Sequence, residues 1–165
     1  MLKERFFKTT AFIVACNVLI VLIASFVMQA ATDELMPEPD ITLTNVWARP
    51  AVQGGNSAIY FILTNNEEDD LILIGASSDA AEFVEIHETT HEEDEHTGHD
   101  VMHMHELPEL VVKGKDSLNF EPGGLHVMLI NLHEPMRLND RVQFTLQFAD
   151  RQPVTAEAVV QMSGD

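Results

Sequence analysis

The sequence predicts an all-β domain, either a β-sandwich or a small Greek-key barrel, behind a hydrophobic N-terminal segment. Short stretches rich in β-branched and aromatic residues recur from Ile41 onward, separated by Gly, Pro, Asn and Asp. No window places apolar residues at helical spacing over a competing length. A chain of 165 residues suits one such domain with appendages.

The expected strands can be placed in chain order. The first two, ITLTNVWA and SAIYFILTNN, flank the turn formers of RPAVQGGN. DLILIGASS and EFVEIHE follow, and a histidine-rich loop separates them from VMHMHEL. The remaining strands are expected in LVVKGKDSLNF, LHVMLINL, VQFTLQF and PVTAEAVVQM. The domain should therefore contain eight or nine strands.

Residues 1–31 are predicted to form one hydrophobic helix, either a cleaved signal peptide or a membrane anchor. Three basic residues precede an 18-residue apolar run at positions 11–28. Secretory hydrophobic regions usually have ~7–15 residues and bilayer-spanning helices about 20, so both alternatives stay open. A lipid-modified Cys16 is the least favoured option, because the apolar run continues past it. With either alternative, the rest of the chain is expected to be exported.

Residues 32–40 are acidic, contain two prolines and are interpreted as a linker to the β domain at 41–165. The net charge is −18, and three basic residues against one acidic residue in the first 28 leave −20 for the remainder. This charge excludes nucleic acid as an expected partner. Because Cys16 is the only cysteine, the exported part lacks disulfides, thiolate metal sites and cysteine nucleophiles.

Methionine and histidine alternate in two of the predicted strands. Side chains two residues apart share a strand face, so Met102 and Met104 point one way in VMHMHEL and two histidines the other. Taken alone, this segment favours methionines in the core. In LHVMLINL the flanking Val and Leu residues favour the core, which places His126 and Met128 on the opposite face. This second pair indicates metal ligands.

Two further groups of histidines accompany that pair. His87 is expected where the EFVEIHE strand ends, and parity alone does not distinguish a ligand from an exposed bystander there. The acidic loop after it suits Cu(II) or Zn(II) through imidazole and carboxylate. We expect an auxiliary Cu(II) site there, or else an acidic insertion without a specific role. The histidines proposed for it are His91, His96, His99, His103 and His105.

The segments VEIHE, VMHMHEL, FEPGGLHVMLINL and DRVQFTLQF resemble the periplasmic CuA-assembly copper chaperones called PCuAC. The resemblance covers roughly residues 45–160. It implies a cupredoxin-like fold that binds Cu(I) through a histidine, a methionine and a His-x-Met pair. The family spacing of 21 residues between the methionine and the pair matches Met104 and His126. The interval after His87 is longer than in the family, so Met102 is the alternative to Met104.

The resemblance implies the ligand set His87, Met104, His126 and Met128. Soft thioether and imidazole donors suit Cu(I), and methionine avoids the oxidation that removes thiols in an oxidising compartment. A blue-copper electron-transfer site would need a cysteine, which the exported part lacks. No arrangement for nucleophilic or acid–base catalysis is apparent, so we expect no enzyme.

The resemblance also implies a function and partners. The expected function is a periplasmic, monomeric copper chaperone for cytochrome oxidase assembly, without a small-molecule substrate. If the leader is not cleaved, residues 11–28 would tether it to the inner membrane. It would deliver copper to the CuA subunit or to a Sco-type thiol protein. The alternative is a histidine-rich buffer for Cu(II) or Zn(II), which should lose its metal below about pH 6 as imidazoles protonate.

Overall fold

Ten β-strands make up the part of the chain that the structure, a computed structural model, describes. It covers residues 39–93 and 100–164, with side chains described except at 91–93, 100 and 101. The strands are β1 (Ile41–Ala48), β2 (Ser57–Asn65), β3 (Leu71–Ser77), β4 (Ala81–Glu93), β5 (Asp100–Glu106), β6 (Leu110–Val112), β7 (Ser117–Phe120), β8 (Leu125–Leu132), β9 (Arg141–Phe148) and β10 (Val154–Val160). The all-β fold is thus confirmed.

The predicted N-terminal helix and the acidic linker up to residue 38 lie outside the described residues. In the ranges that are described, no helix has the length and apolar character needed to cross a bilayer.

The strands form one sheet in the order β5-β4-β8-β7-β2-β1-β10-β9-β3-β6, with β8 also paired to β2. β2 and β3 are consecutive in the chain but lie far apart in this order, as do β3 and β4, which is the long-connection pattern of Greek-key folds. One hydrophobic cluster contains both Ile86 of β4 and Val112 of β6, near opposite ends of the sheet. The sheet therefore folds over a shared core.

Aromatic packing forms the centre of this core. Phe61 is 2% exposed and stacks on Phe120 with ring centroids 4.2 Å apart. Its ring also faces Phe144 at 5.5 Å. Three strands distant in sequence, β2, β7 and β9, are thus joined by direct ring contacts, which are stabilising beyond the apolar area they bury.

Strand β2 is buried on both faces at its beginning. Ile59 and Phe61 face the main core, whereas Tyr60 belongs to a small second cluster with Trp47 and Ala58. A shift of register in β1 between Thr44 and Trp47 accompanies this arrangement, and Asn45 within it has a φ of 52°. Such bulges redirect side chains. The second cluster packs on the face of β2 opposite the main core, and the same face of the sheet extends across the neighbouring strand β8.

Two sequence expectations about the strands were wrong. LVVKGKDSLNF contains two strands, because a turn at residues 113–116 interrupts it, with Lys115 at a φ of 58° and its amide donating to the Glu67 carbonyl. EFVEIHE does not end near His87. The β4 strand continues to Glu93 because its backbone pairs with β5 from His87↔Glu106 to Glu93↔Asp100.

Candidate metal centre

Strand register brings the predicted ligands to one face of the sheet. In the β4–β8 ladder His87 lies opposite His126, and Glu85 lies opposite Met128. In the β4–β5 ladder Met104 lies opposite Thr89, two residues from His87. Directly paired residues share a face, and so do residues two apart on one strand. The four predicted ligands therefore project from the same side of three neighbouring strands.

The two histidine rings lie side by side, with centroids 5.8 Å apart. His126 Nδ1 is 3.0 Å from the Gly124 carbonyl oxygen. Since a carbonyl only accepts, Nδ1 must donate its hydrogen, which leaves the lone pair of a neutral ring on Nε2. Gly124 belongs to the turn that begins at Glu121 and starts β8. This turn therefore determines which nitrogen of His126 is available to a metal.

His126 is buried, although the sequence analysis placed it on a face near the surface. It is only 5% exposed, because the second cluster covers it. The Tyr60 ring centroid lies 6.3 Å from that of His126, and Trp47 packs on Tyr60 at 4.6 Å. Burial lowers the pKa of His126 from its usual 6.5, the Gly124 hydrogen bond partly opposes the shift, and His87 lowers the pKa further. The ring is therefore kept neutral, as a metal ligand requires.

His87 lies within β4, six residues before the strand ends at Glu93. The prediction that it sits at a strand exit was wrong, because pairing with β5 extends the strand. Its Nε2 is 2.8 Å from Glu85 Oε2. Its Nδ1 is buried and has no hydrogen-bond partner among the described residues. An unpartnered buried ring nitrogen beside a second histidine fits a metal site.

The methionines line an open groove, so the local prediction that they fill the core was wrong. Met102 is 67% exposed and Met104 52% exposed. Both border a groove of about 480 Å³ together with His126 and Met128. The groove is open to solvent and borders His126, whereas His87 is not among the described residues that line it. Met102 and Met104 both lie on the face that carries the histidines, so strand register does not choose between them as ligands. The 21-residue spacing remains the reason to prefer Met104.

The proposed auxiliary residues divide into two groups. His103 and His105 are exposed on the other face of the hairpin, where His105 Nε2 lies 3.4 Å from Glu88 Oε2. The side chains of His91, His96 and His99 lie outside the described residues. In the part of the chain that is described, no three His, Cys, Asp or Glu side chains converge as metal ligands.

Three side chains around the histidines were not connected to the site by sequence reasoning. Glu85 shares the face of His87, and this i, i+2 relation was visible in VEIHE. Trp47 and Tyr60 gave no such signal, because their approach to His126 depends on the pairing of β2 with β8.

The fold is that of a cupredoxin-like β domain, and strand register places histidines and methionines together on one face of three neighbouring strands. The chain belongs to the LpqE-like family, described as "Putative lipoprotein LpqE-like", which it matches over residues 41–160.

Two curated relatives extend this comparison. Uncharacterized protein RP573 from Rickettsia prowazekii (strain Madrid E) is 34% identical over 124 residues, which are 72% of this chain and 66% of the relative. Putative lipoprotein Lxx21020 from Leifsonia xyli subsp. xyli is 26% identical over 110 residues, 67% of this chain and 63% of the relative. The chain thus spans slightly less than two thirds of the length of either relative.

Solved structures show the same fold. The copper-bound PCuAC domain from PmoF2 has a TM-score of 0.58 at 19% identity, covering 76% of this chain and 96% of that domain. The solution structure of CuI-DR1885 from Deinococcus radiodurans has a TM-score of 0.54 at 26% identity, covering 72% of this chain and 78% of that protein.

Proposed function

We propose that this domain is a copper carrier that binds Cu(I) through His87, Met104, His126 and Met128. The observation that carries the proposal is the pair of adjacent histidine rings beside a methionine-lined groove. His126 offers Nε2 and His87 has an unpartnered buried Nδ1. The similarity to structures described as Cu(I)- and copper-bound supports the choice of metal.

The donor set suits transport more than permanent retention. Two imidazoles and two thioethers are neutral soft ligands, which favour Cu(I) over hard cations that prefer oxygen. They hold copper less tightly than thiolates would, so a thiol-bearing acceptor can remove it. The half-exposed Met104 lies where such an acceptor would approach. We therefore propose a carrier rather than an enzyme.

The proposal extends to a place of action and to partners, on the basis of the resemblance to the PCuAC chaperones. We propose that the protein is exported to the periplasm, with residues 1–31 as a signal peptide or anchor. The description of the family as putative lipoproteins also makes lipid attachment at Cys16 a candidate for the anchor. The proposed acceptor is the CuA subunit of cytochrome oxidase, reached directly or through a Sco-type thiol protein.

The test is an anaerobic Cu(I) titration against a competing chelator. Met104→Ala and Met128→Ala should each weaken Cu(I) binding by about tenfold or more, because each removes one of the four proposed soft ligands. Met162→Ala is the matched control, since Met162 is exposed and lies outside this groove. Unchanged affinity in both site variants would contradict the proposed ligand set.

The same titration tests whether Met102 is a copper ligand. We expect Met102→Ala to bind Cu(I) nearly as tightly as the parent protein, because the 21-residue spacing assigns coordination to Met104. The reverse result, with loss only in Met102→Ala, would transfer the ligand role to Met102 while leaving the proposed function intact.

A further inference from the structure

Glu85 is a charged side chain in direct contact with His87, one of the proposed ligands. Its Oε2 accepts a hydrogen bond from His87 Nε2 at 2.8 Å. The two residues lie two positions apart on β4, so both project from the face that carries the site. We propose that Glu85 is a positioning residue that makes His87 bind copper through Nδ1. This inference rests on the proposed function.

The choice of nitrogen follows from hydrogen-bond chemistry. A neutral imidazole has one N–H group, and a carboxylate can only accept. The contact with Glu85 therefore places the ring hydrogen on Nε2 and the lone pair on Nδ1. His87 Nδ1 is buried and finds no partner in the described chain. Leaving a buried acceptor unpaired is unfavourable unless a ligand occupies it.

The second histidine is arranged in the opposite way. His126 donates from Nδ1 to the Gly124 carbonyl and keeps its lone pair on Nε2. Outer partners of this kind commonly orient metal-bound histidines. Here a backbone carbonyl holds one ring and a carboxylate holds the other. The lone pair therefore lies on Nδ1 in His87 and on Nε2 in His126.

Glu85 also contributes charge to the site. The four proposed ligands are neutral, so Cu(I) would keep its full positive charge without a nearby anion. Glu85 lies opposite Met128 in the β4–β8 ladder and contacts His87, which places its carboxylate beside two of the four ligands. Its oxygens are hard donors that Cu(I) disfavours. The carboxylate therefore acts through His87 and through its charge, and does not coordinate the metal.

Nitrogen-resolved NMR of the ¹⁵N-labelled protein loaded with Ag(I), a redox-inert soft monocation, tests the assignment. We expect the His87 Nδ1 resonance to shift on metal binding while Nε2 stays protonated, and His126 to bind through Nε2. Coordination of His87 through Nε2 would overturn the inference.

Affinity for Cu(I) provides the second readout. Glu85→Ala should bind Cu(I) about tenfold more weakly or worse, and its His87 should lose the Nδ1 preference. Glu85→Gln keeps an acceptor without the charge, so it should keep Nδ1 coordination at an intermediate affinity. It also keeps the test valid if Glu85→Ala does not fold. Glu106→Ala is the matched control, because Glu106 lies opposite His87 on β5 and shares its face of the sheet but makes no hydrogen bond to the His87 ring.

The outcomes distinguish failure of the inference about Glu85 from failure of the proposed function. If Glu85→Ala binds Cu(I) as tightly as Glu106→Ala and with an unchanged His87 spectrum, the inference about Glu85 fails while the carrier function stands. If the parent protein binds neither Ag(I) nor Cu(I), the proposed function and this inference fail together.

Discussion

At the scale of single residues, His126 combines two properties that usually conflict. Its ring is buried against Tyr60, yet Nδ1 donates to the Gly124 carbonyl and Nε2 has no hydrogen bond within the described part of the chain. Burial penalises the protonated ring and lowers its pKa. The residue therefore stays available to a metal at pH values where an exposed histidine would begin to protonate.

This lowered pKa predicts a dependence of stability on pH. Above the ordinary pKa of 6.5 the ring is neutral in the folded and unfolded states, and its titration has no effect. As the pH falls below 6.5, the unfolded state takes up the proton first, so the free energy of unfolding decreases until the pH reaches the lowered folded pKa. We expect the metal-free protein to lose stability over this range, as measured by urea unfolding at successive pH values.

Substitution isolates the contribution of His126 from that of the many carboxylates. His126→Gln should show a shallower decrease below pH 6.5 than the parent protein, whereas His133→Gln, at an exposed position, should follow the parent. Parallel curves for the parent and His126→Gln would show that burial of this ring does not affect its titration.

At the scale of elements, the β4–β5 hairpin separates two kinds of donor. Its register places Met102 and Met104 toward the groove, and His103 and His105 on the other face. Thioethers suit Cu(I), whereas imidazole with carboxylate suits Cu(II) or Zn(II). The hairpin therefore carries thioethers, which suit Cu(I), on one face. Its other face and its loop carry imidazoles and carboxylates, which suit Cu(II) or Zn(II).

The loop prediction can be tested apart from the main site. Replacing His91, His96 and His99 together with alanine should remove a Cu(II) equivalent measured by titration in air and leave Cu(I) affinity under anaerobic conditions unchanged. His133→Ala serves as the single-histidine control. If the Cu(II) stoichiometry of the triple variant equals that of the parent, the loop is an acidic insertion without a specific metal role.

At the scale of the whole molecule, packing on both faces of β2 links the core to the site. Phe61 and Ile59 belong to the main core, and Tyr60 between them covers His126 from the other face. The ladder from Ser57↔Leu129 to Ile59↔Val127 fixes β2 against β8. Stable folding of the core is therefore required to hold the histidine in place.

Removing the central ring should affect the whole domain. Phe61→Ala should lower the free energy of unfolding by about 3–5 kcal/mol, since it removes a fully buried aromatic side chain and leaves a cavity. Phe83→Ala is the control, because Phe83 is 54% exposed and should change stability by about 0.5 kcal/mol or less. Chemical denaturation measures both, and equal small effects would contradict the assignment of Phe61 to the core.

Much of this architecture could be predicted from local pattern. The alternation of side chains correctly assigned Val127 and Leu129 to the core and His126 with Met128 to the opposite face. It failed for the length of β4, because polar residues extend that strand only through pairing with β5. It also failed for the methionines of β5, whose apolar character favours burial although the core ends at the neighbouring strand.

The amino-acid sequence alone predicts the all-β class and which Met and His side chains share a strand face, since side chains alternate along a strand with a period of two. The folded structure is needed to show which strands are neighbours, and hence that His87 packs beside His126 and that Tyr60 covers His126. These contacts depend on register between strands far apart in the chain. Residue spacing along one strand carries no information about that register.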